Sequence, residues 1–202
     1  MTIKAVLFDL DGTFADTAPD LAHALNMMRA ARNLPPVASD ITRPVTSTGA
    51  RGMLRVGFGI MPEHAEYAAM REEFLDLYAG NLCIETAVFP GMNELLDGIE
   101  ARGLAWGIVT NKAERFARPL LDLLQFTQRC ACRMGGETTG TLKPSPEPML
   151  AASRAIGLAP GRCIYVGDDQ RDVQAGRAAG MKTIAVRYGY LNGSVPETWG
   201  AD

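Results

Sequence analysis

The chain has 202 residues, 47% hydrophobic and 21% charged, and its 20 Lys and Arg against 23 Asp and Glu leave a formal charge of −3. Such a chain can bury a core without disulfide or metal staples, which excludes the disordered, fibrous and disulfide-framework classes. The weak negative charge has no basic block to attract a nucleic-acid backbone, and the opening apolar run Ala5–Phe8 is too short for a membrane span or signal-peptide core, so a cytoplasmic protein binding neither is expected.

In chain order, the run Ala5–Phe8 reads as a strand that ends in Asp9-Leu10-Asp11-Gly12-Thr13. From about Pro19 to Val88 no strand pattern occurs. Helical stripes at Leu21, Leu25, Met28 and at Tyr67, Met70, Phe74, Leu77, Tyr78 flank a stretch containing Gly49, Gly52, Gly57 and Gly59. Beyond it, a helix at Met92, Leu95, Leu96, Ile99 precedes a strand at 104–109, and a helix at Phe116, Leu120, Leu123, Leu124 precedes strands at 163–166 and 183–186. Apolar strands alternating with helices predict an α/β fold, a doubly wound, Rossmann-like parallel sheet covered on both faces. Residues 1–16 and 88–202 form this core, 17–87 form an inserted all-helical domain, and the crossings near 16–19 and 86–90 are its hinges.

The cysteines Cys83, Cys130, Cys132 and Cys163 have no CxxC spacing, and His23 and His64 lie far from the Cys130/Cys132 pair. Reduced structural thiols are expected, and any metal should have oxygen ligands. The histidines suit surface or capping roles.

Parallel sheets place ligands beyond the carboxyl ends of their strands. There the sequence puts Asp9 and Asp11, then Thr110-Asn111-Lys112, then Lys143-Pro144 in a loop, then Gly167-Asp168-Asp169 with Asp172. Carboxylates gathered on one edge repel unless a cation neutralises them, and Mg²⁺ suits a site that keeps positions for water and a phosphate oxygen. Thr110, Asn111, Lys143 and the N–H groups around Gly12 can donate to a phosphate, and a carboxylate can be the nucleophile of a two-step phosphatase.

Asp9-Leu10-Asp11-Gly12-Thr13, Thr110-Asn111-Lys112, Lys143-Pro144 and Gly167-Asp168-Asp169-Gln170-Arg171-Asp172 resemble, in order, the four motifs of the haloacid-dehalogenase superfamily of phosphatases. The insertion resembles the helical cap of the phosphoglycolate-phosphatase-like branch. The segments at 16–20, 106–112, 185–190 and 199–202 are similar to a subgroup acting on N-acetylmuramic acid 6-phosphate in peptidoglycan recycling.

The resemblance implies Asp9 as nucleophile and metal ligand, and Asp11 as general acid/base whose backbone carbonyl also ligates the metal. It implies Thr110 and Asn111 on the phosphate, Lys143 neutralising Asp9 and the phosphate, and Asp168 completing a Mg²⁺ site. Asp169 or Asp172 supports that site through water or by orienting Lys143. Phe14, where the family usually has Leu, is expected to alter packing under the cap, and the early end at Asp202 leaves little chain for a last strand and helix.

Asp16 or Thr17 can cap the first helix of the insertion, and the resemblance implies that Arg51, in its Gly-rich segment, faces the reaction centre, where a guanidinium suits a substrate carboxylate. The reading is a Mg²⁺-dependent phosphomonoesterase, monomer or homodimer, acting on a small phosphorylated metabolite, with N-acetylmuramic acid 6-phosphate and 2-phosphoglycolate as leading substrates. The alternatives are a sugar-phosphate mutase, a metal-independent dehalogenase, and a phospho-accepting receiver.

Overall fold

The computed structural model describes residues 2–202, and its contacts divide the chain into two compact units, Met1–Ala15 with Val88–Asp202, and Asp16–Ala87. In the first unit β1 (Ala5–Phe8), β4 (Ala105–Val109), β5 (Cys132–Met134), β6 (Cys163–Gly167) and β7 (Lys182–Ala185) form one parallel sheet in the order β5-β4-β1-β6-β7. The short β2 (Ala15–Asp16) and β3 (Ala87–Val88) pair where the chain passes between units.

Alternation along each strand sorts the core onto two faces. Ala5, Leu7, Val109, Cys132, Cys163 and Tyr165 pack with Met149 and Ala152 of α7 (Glu147–Ala155) and Ala175 of α8 (Gln170–Ala178). On the opposite face, Phe8 and Trp106 join Phe14 and Phe126. The Phe14 ring stacks on Trp106 with centroids 5.6 Å apart, and meets Phe126 and Phe8 edge-on at 5.1 and 6.1 Å. Phe14 is therefore a fully buried member of the core unit's aromatic cluster, where packing under the cap was expected.

Helices α5 (Met92–Ala101) and α6 (Glu114–Leu123) bury Met92, Leu96, Ile99 and Phe116, Leu120, Leu121, whereas Leu95 and Leu123 of the expected stripes are exposed. The strand β5 escaped the sequence reading because it is a three-residue edge strand with Arg133 at its centre. The doubted last edge of the sheet is β7, and Asp202 lies along it: the Asp202 N–H donates to the Thr183 carbonyl (3.0 Å) and the Thr183 N–H to Asp202 Oδ2 (3.0 Å).

The second unit is helical, with α1 (Ala18–Ala30), α2 (Ser39–Thr42), a 3-10 turn at Arg43–Thr48, α3 (Gly49–Phe58) and α4 (Tyr67–Gly80). Leu21, Leu25 and Met28 of α1 and Met70, Phe74 and Tyr78 of α4 are buried, as their stripes predict. Gly57 allows close packing, since a Cβ there would stand 2.4 Å from Leu25 Cδ1, and Gly59 ends α3 in the left-handed region at φ 70°. Thr17 stands at the N-cap position of α1 but its side chain makes no capping hydrogen bond, and Asp16 pairs with Arg43 at 2.9 Å. Buried Asp20 accepts N–H donors from Ile84 (3.1 Å), Glu85 (2.8 Å) and Thr86 (3.2 Å) and the Thr86 hydroxyl (2.6 Å), pinning the returning chain. No helix among the described residues is long and apolar enough to cross a membrane.

Candidate active site

Three adjacent central strands build the site. Phe8 is level with Ile108 of β4 and Val166 of β6, so Asp9, Thr110 and Asp168 leave neighbouring strands within one residue of the same level. The Asp9 N–H donates to the Val166 carbonyl (2.9 Å), and Asp9 Oδ1 accepts from the Leu10 N–H (2.8 Å).

Lys143 reaches this edge from the loop before α7 and is almost wholly buried. Its Nζ lies 2.9 Å from Asp9 Oδ1 and 2.6 Å from Asp172 Oδ1, and donates to the Tyr165 hydroxyl at 3.0 Å. Burial alone would push the ammonium toward neutrality, but Asp172 and Asp9 outweigh it and hold its pKa above the usual lysine value. Tyr165 in turn donates to the Val109 carbonyl at 2.6 Å.

The fourth motif separates its two acids. At the start of α8, Asp169 accepts the Arg171 N–H (2.8 Å), and its own N–H donates to Asp172 Oδ2 (3.0 Å), closing a capping box. Asp169 also holds the Arg171 guanidinium at 2.8 Å; burial would raise its pKa, but these contacts keep it below the usual value. Asp172 is the acid that orients Lys143. Gly167 makes room for it, since a Cβ there would stand 2.3 Å from Asp172 Oδ2.

Asp168 is buried, with Oδ1 accepting from the Thr13 hydroxyl (2.8 Å) and Oδ2 from the Tyr190 N–H (2.8 Å). Burial, with the charge of Asp9 added, pushes its pKa up, and burial likewise raises that of Asp172 against the pull of Lys143. Two glycines shape the Asp168 pocket: a Cβ on Gly12, whose φ is +82°, would stand 2.2 Å from Asp168 Oδ2, and one on Gly189 2.2 Å from Asp168 Cβ.

Among the described residues, Asp9, Asp168 and Asp172 bring carboxylate oxygens within 4.8 Å of one another. The expected ligands were the Asp9 and Asp168 carboxylates and the backbone carbonyl of Asp11; the Asp11 carboxylate lies outside this group, on Lys112, 3.0 Å from Oδ1 and 3.4 Å from Oδ2. Lys143 is shared by Asp172 (2.6 Å) and Asp9 (2.9 Å), while Asp168 is held by neutral donors, the Thr13 hydroxyl and the Tyr190 N–H. The donor set is all oxygen, which suits a small, hard divalent cation.

Asn111 was expected on the phosphate. Its side chain instead clamps the Lys143 backbone: Nδ2 donates to the Lys143 carbonyl (3.0 Å) and Oδ1 accepts the Lys143 N–H (2.8 Å). Thr110 Oγ1 accepts the Lys112 N–H at 3.1 Å, and Gly12 sits directly against Asp168. Arg51 is exposed on α3 of the helical unit. His23 and His64 are exposed, and Cys132 and Cys163 are buried; burial pushes the Cys130 thiol up to about 11 and that of Cys132 to about 12, so neither is a nucleophile.

Sequence reasoning missed Thr13, Tyr165 and the 187–190 loop that brings the Tyr190 N–H to Asp168. The signal for Tyr165 was a phenol in an otherwise apolar strand, which demands a buried partner.

A family profile of haloacid dehalogenase-like hydrolases matches residues 6–186. The chain is 45% identical, over 100% of its length and 90% of that protein's, to the N-acetylmuramic acid 6-phosphate phosphatase of Pseudomonas aeruginosa. It is 44% identical, over 98% of its length and 90% of that protein's, to a phosphoglycolate phosphatase of Xanthomonas campestris pv. campestris. Among solved structures, a predicted phosphoglycolate phosphatase from Haemophilus somnus superposes with a TM-score of 0.86 at 26% identity, covering 100% of this chain and 92% of that one. With the acids, the lysine and the fold in place, these matches identify the chain as a member of the haloacid dehalogenase-like hydrolase family, among its phosphatases.

Proposed function

We propose that the protein is a Mg²⁺-dependent phosphomonoesterase that works through an aspartyl-phosphate on Asp9. The observation that carries this reading is the buried Lys143 ammonium, 2.9 Å from Asp9 Oδ1 at the end of the central strand, with Asp168 beside it. The Asp9 carboxylate attacks phosphorus, the ester P–O bond breaks, and the departing oxygen takes a proton from Asp11. Water then attacks the phosphoryl group, gives its proton to Asp11, and releases inorganic phosphate with Asp9 restored.

Lys143, steadied by Asp172, offsets charge on Asp9 and on the phosphate, and Thr110, the Asn111 backbone and N–H groups near Gly12 receive the phosphate oxygens. Mg²⁺, held by the Asp9 and Asp168 carboxylates and the Asp11 carbonyl, would supply further positive charge when bound. Asp169 acts at a remove, as the cap of α8.

The substrate is a small phosphorylated metabolite carrying a carboxylate, and we assign Arg51 to that group. N-acetylmuramic acid 6-phosphate leads and 2-phosphoglycolate follows, on the names of the relatives. The reaction is placed in the cytoplasm, in keeping with four unpaired thiols, with the enzyme as a monomer or homodimer.

Phosphate release from both substrates with Mg²⁺ present tests the reading. Higher kcat/KM on the amino-sugar phosphate is expected, with Asp9→Asn inactive and excess EDTA stopping the reaction. Turnover by an undeamidated Asp9→Asn enzyme would refute the nucleophile.

A further inference from the structure

The reading above leaves one nearly buried charge of the site without a role, and the inference that follows rests on that reading. Lys112 is the last residue of the Thr110-Asn111-Lys112 motif, with a side chain only 7% exposed. Its ammonium forks across the Asp11 carboxylate, 3.0 Å from Oδ1 and 3.4 Å from Oδ2, and the Asp11 side chain is 19% exposed. The Lys112 backbone is fixed at both ends: its N–H donates to Thr110 Oγ1 (3.1 Å) and its carbonyl accepts the Gly136 N–H (2.9 Å).

We propose that Lys112 is the positioning residue of Asp11: its ammonium holds that carboxyl group in place for proton transfer, as an ion pair while the group is ionised and as a donor to its carbonyl oxygen while it carries the proton, and keeps it apart from the acids that gather around Asp9. Two observations carry this. First, Asp11 stands two residues beyond Asp9 on an edge rich in acids, so without its own cation its carboxylate would be drawn to whatever cation Asp9 and Asp168 hold. The converging oxygens are those of Asp9, Asp168 and Asp172, while that of Asp11 is on Lys112. Second, a solvent-shielded pair with a fixed backbone limits rotation of a short side chain that must meet first a leaving oxygen and then a water. The motif loop thus positions both partners of Asp9: Asn111 fixes the Lys143 backbone and Lys112 fixes the Asp11 side chain.

The test uses the leaving group. A p-nitrophenolate departs as a stabilised anion, whereas an alkoxide needs the proton that Asp11 supplies. For Lys112→Met, kcat/KM on 2-phosphoglycolate should fall on the order of 100-fold, the lower end of what a positioned acid contributes, and on p-nitrophenyl phosphate by roughly a tenth of that factor. Lys112→Arg, whose fork can hold the same carboxylate, should restore most of the ratio between the two substrates. In an Asp11→Asn background, Lys112→Met should lower the 2-phosphoglycolate rate no further. Equal losses on both substrates, an arginine variant with the same ratio as methionine, or a full further loss in the Asp11→Asn background would overturn the assignment. Should Lys112→Met not fold, the arginine ratio decides. An unmodified enzyme that releases phosphate from neither substrate would sink the phosphatase reading itself.

Discussion

Replacing Lys143 by Met keeps an unbranched stem in the loop and removes only the ammonium. The structure fixes what is lost: contacts of 2.9 Å to Asp9 and 2.6 Å to Asp172, and the hydrogen bond to Tyr165. Asp172, whose side chain is 1% exposed, is then a buried carboxylate without its ion-pair partner. Removing one partner of a buried pair costs about 3–5 kcal/mol, and that range applies where the carboxylate stays ionised.

The sign of the pH dependence follows. Asp172 already binds its proton more tightly than an unfolded aspartate, and losing the lysine strengthens this. A carboxylate with a raised folded-state pKa stabilises the fold at low pH, and that stabilisation is lost as pH rises through the folded-state value. The deficit of Lys143→Met should therefore be greatest near pH 8 and shrink on acidification by up to about 1.4 kcal/mol per pH unit. Lys143 itself, with its pKa raised, stabilises the unmodified protein across this window, and that contribution fails only in strong alkali. Urea denaturation of both proteins at pH 8 and pH 6, with EDTA so that no metal replaces the ammonium, measures the difference. A deficit below about 1 kcal/mol at pH 8, or one equal at both pH values, would refute the reasoning.

Gly12→Ala places a Cβ 2.2 Å from Asp168 Oδ2 at a φ of +82°, so Asp168 must move. Binding of Mg²⁺, followed by calorimetry, should weaken at least tenfold on the order of one lost ligand, about 1.4 kcal/mol, and unchanged affinity would remove Asp168 from the metal site. Phe14→Ala empties the centre of an aromatic cluster and should cost about 3–5 kcal/mol in urea. A cost under 1 kcal/mol would mean that Trp106 and Phe126 close the gap.

What could be read in the sequence followed from how local each signal is. The strands β1, β4 and β6 are runs of apolar residues bounded by polar ones, whereas β7 opens on Lys182 and Thr183, and the acids beyond β1 and β6 fall on one edge because parallel strands end there. Residues 132–134 carry no such run. The roles within the edge were harder, because they depend on which way a side chain turns. Asn111 looks equally fit to hold a phosphate or a neighbouring backbone, and only the fold chooses the second. The ranking of Asp169 against Asp172 was legible after all: an Asp followed three residues later by another acid is a helix-start pattern, which puts the first at the cap and turns the second back toward the strand. Phe14 misled because its neighbours in sequence lie at the crossing between units while its neighbours in space are Trp106 and Phe126.

The two oxygens of Asp172 answer to different masters, one to the opening turn of α8 and the other to the lysine beside the nucleophile. Evolution cannot tune the helix start and the reactivity of the centre independently through this residue. An engineer who strengthens the cap by moving the acid elsewhere will detune the enzyme, and an unfolding first turn will silence the chemistry before the rest of the fold gives way.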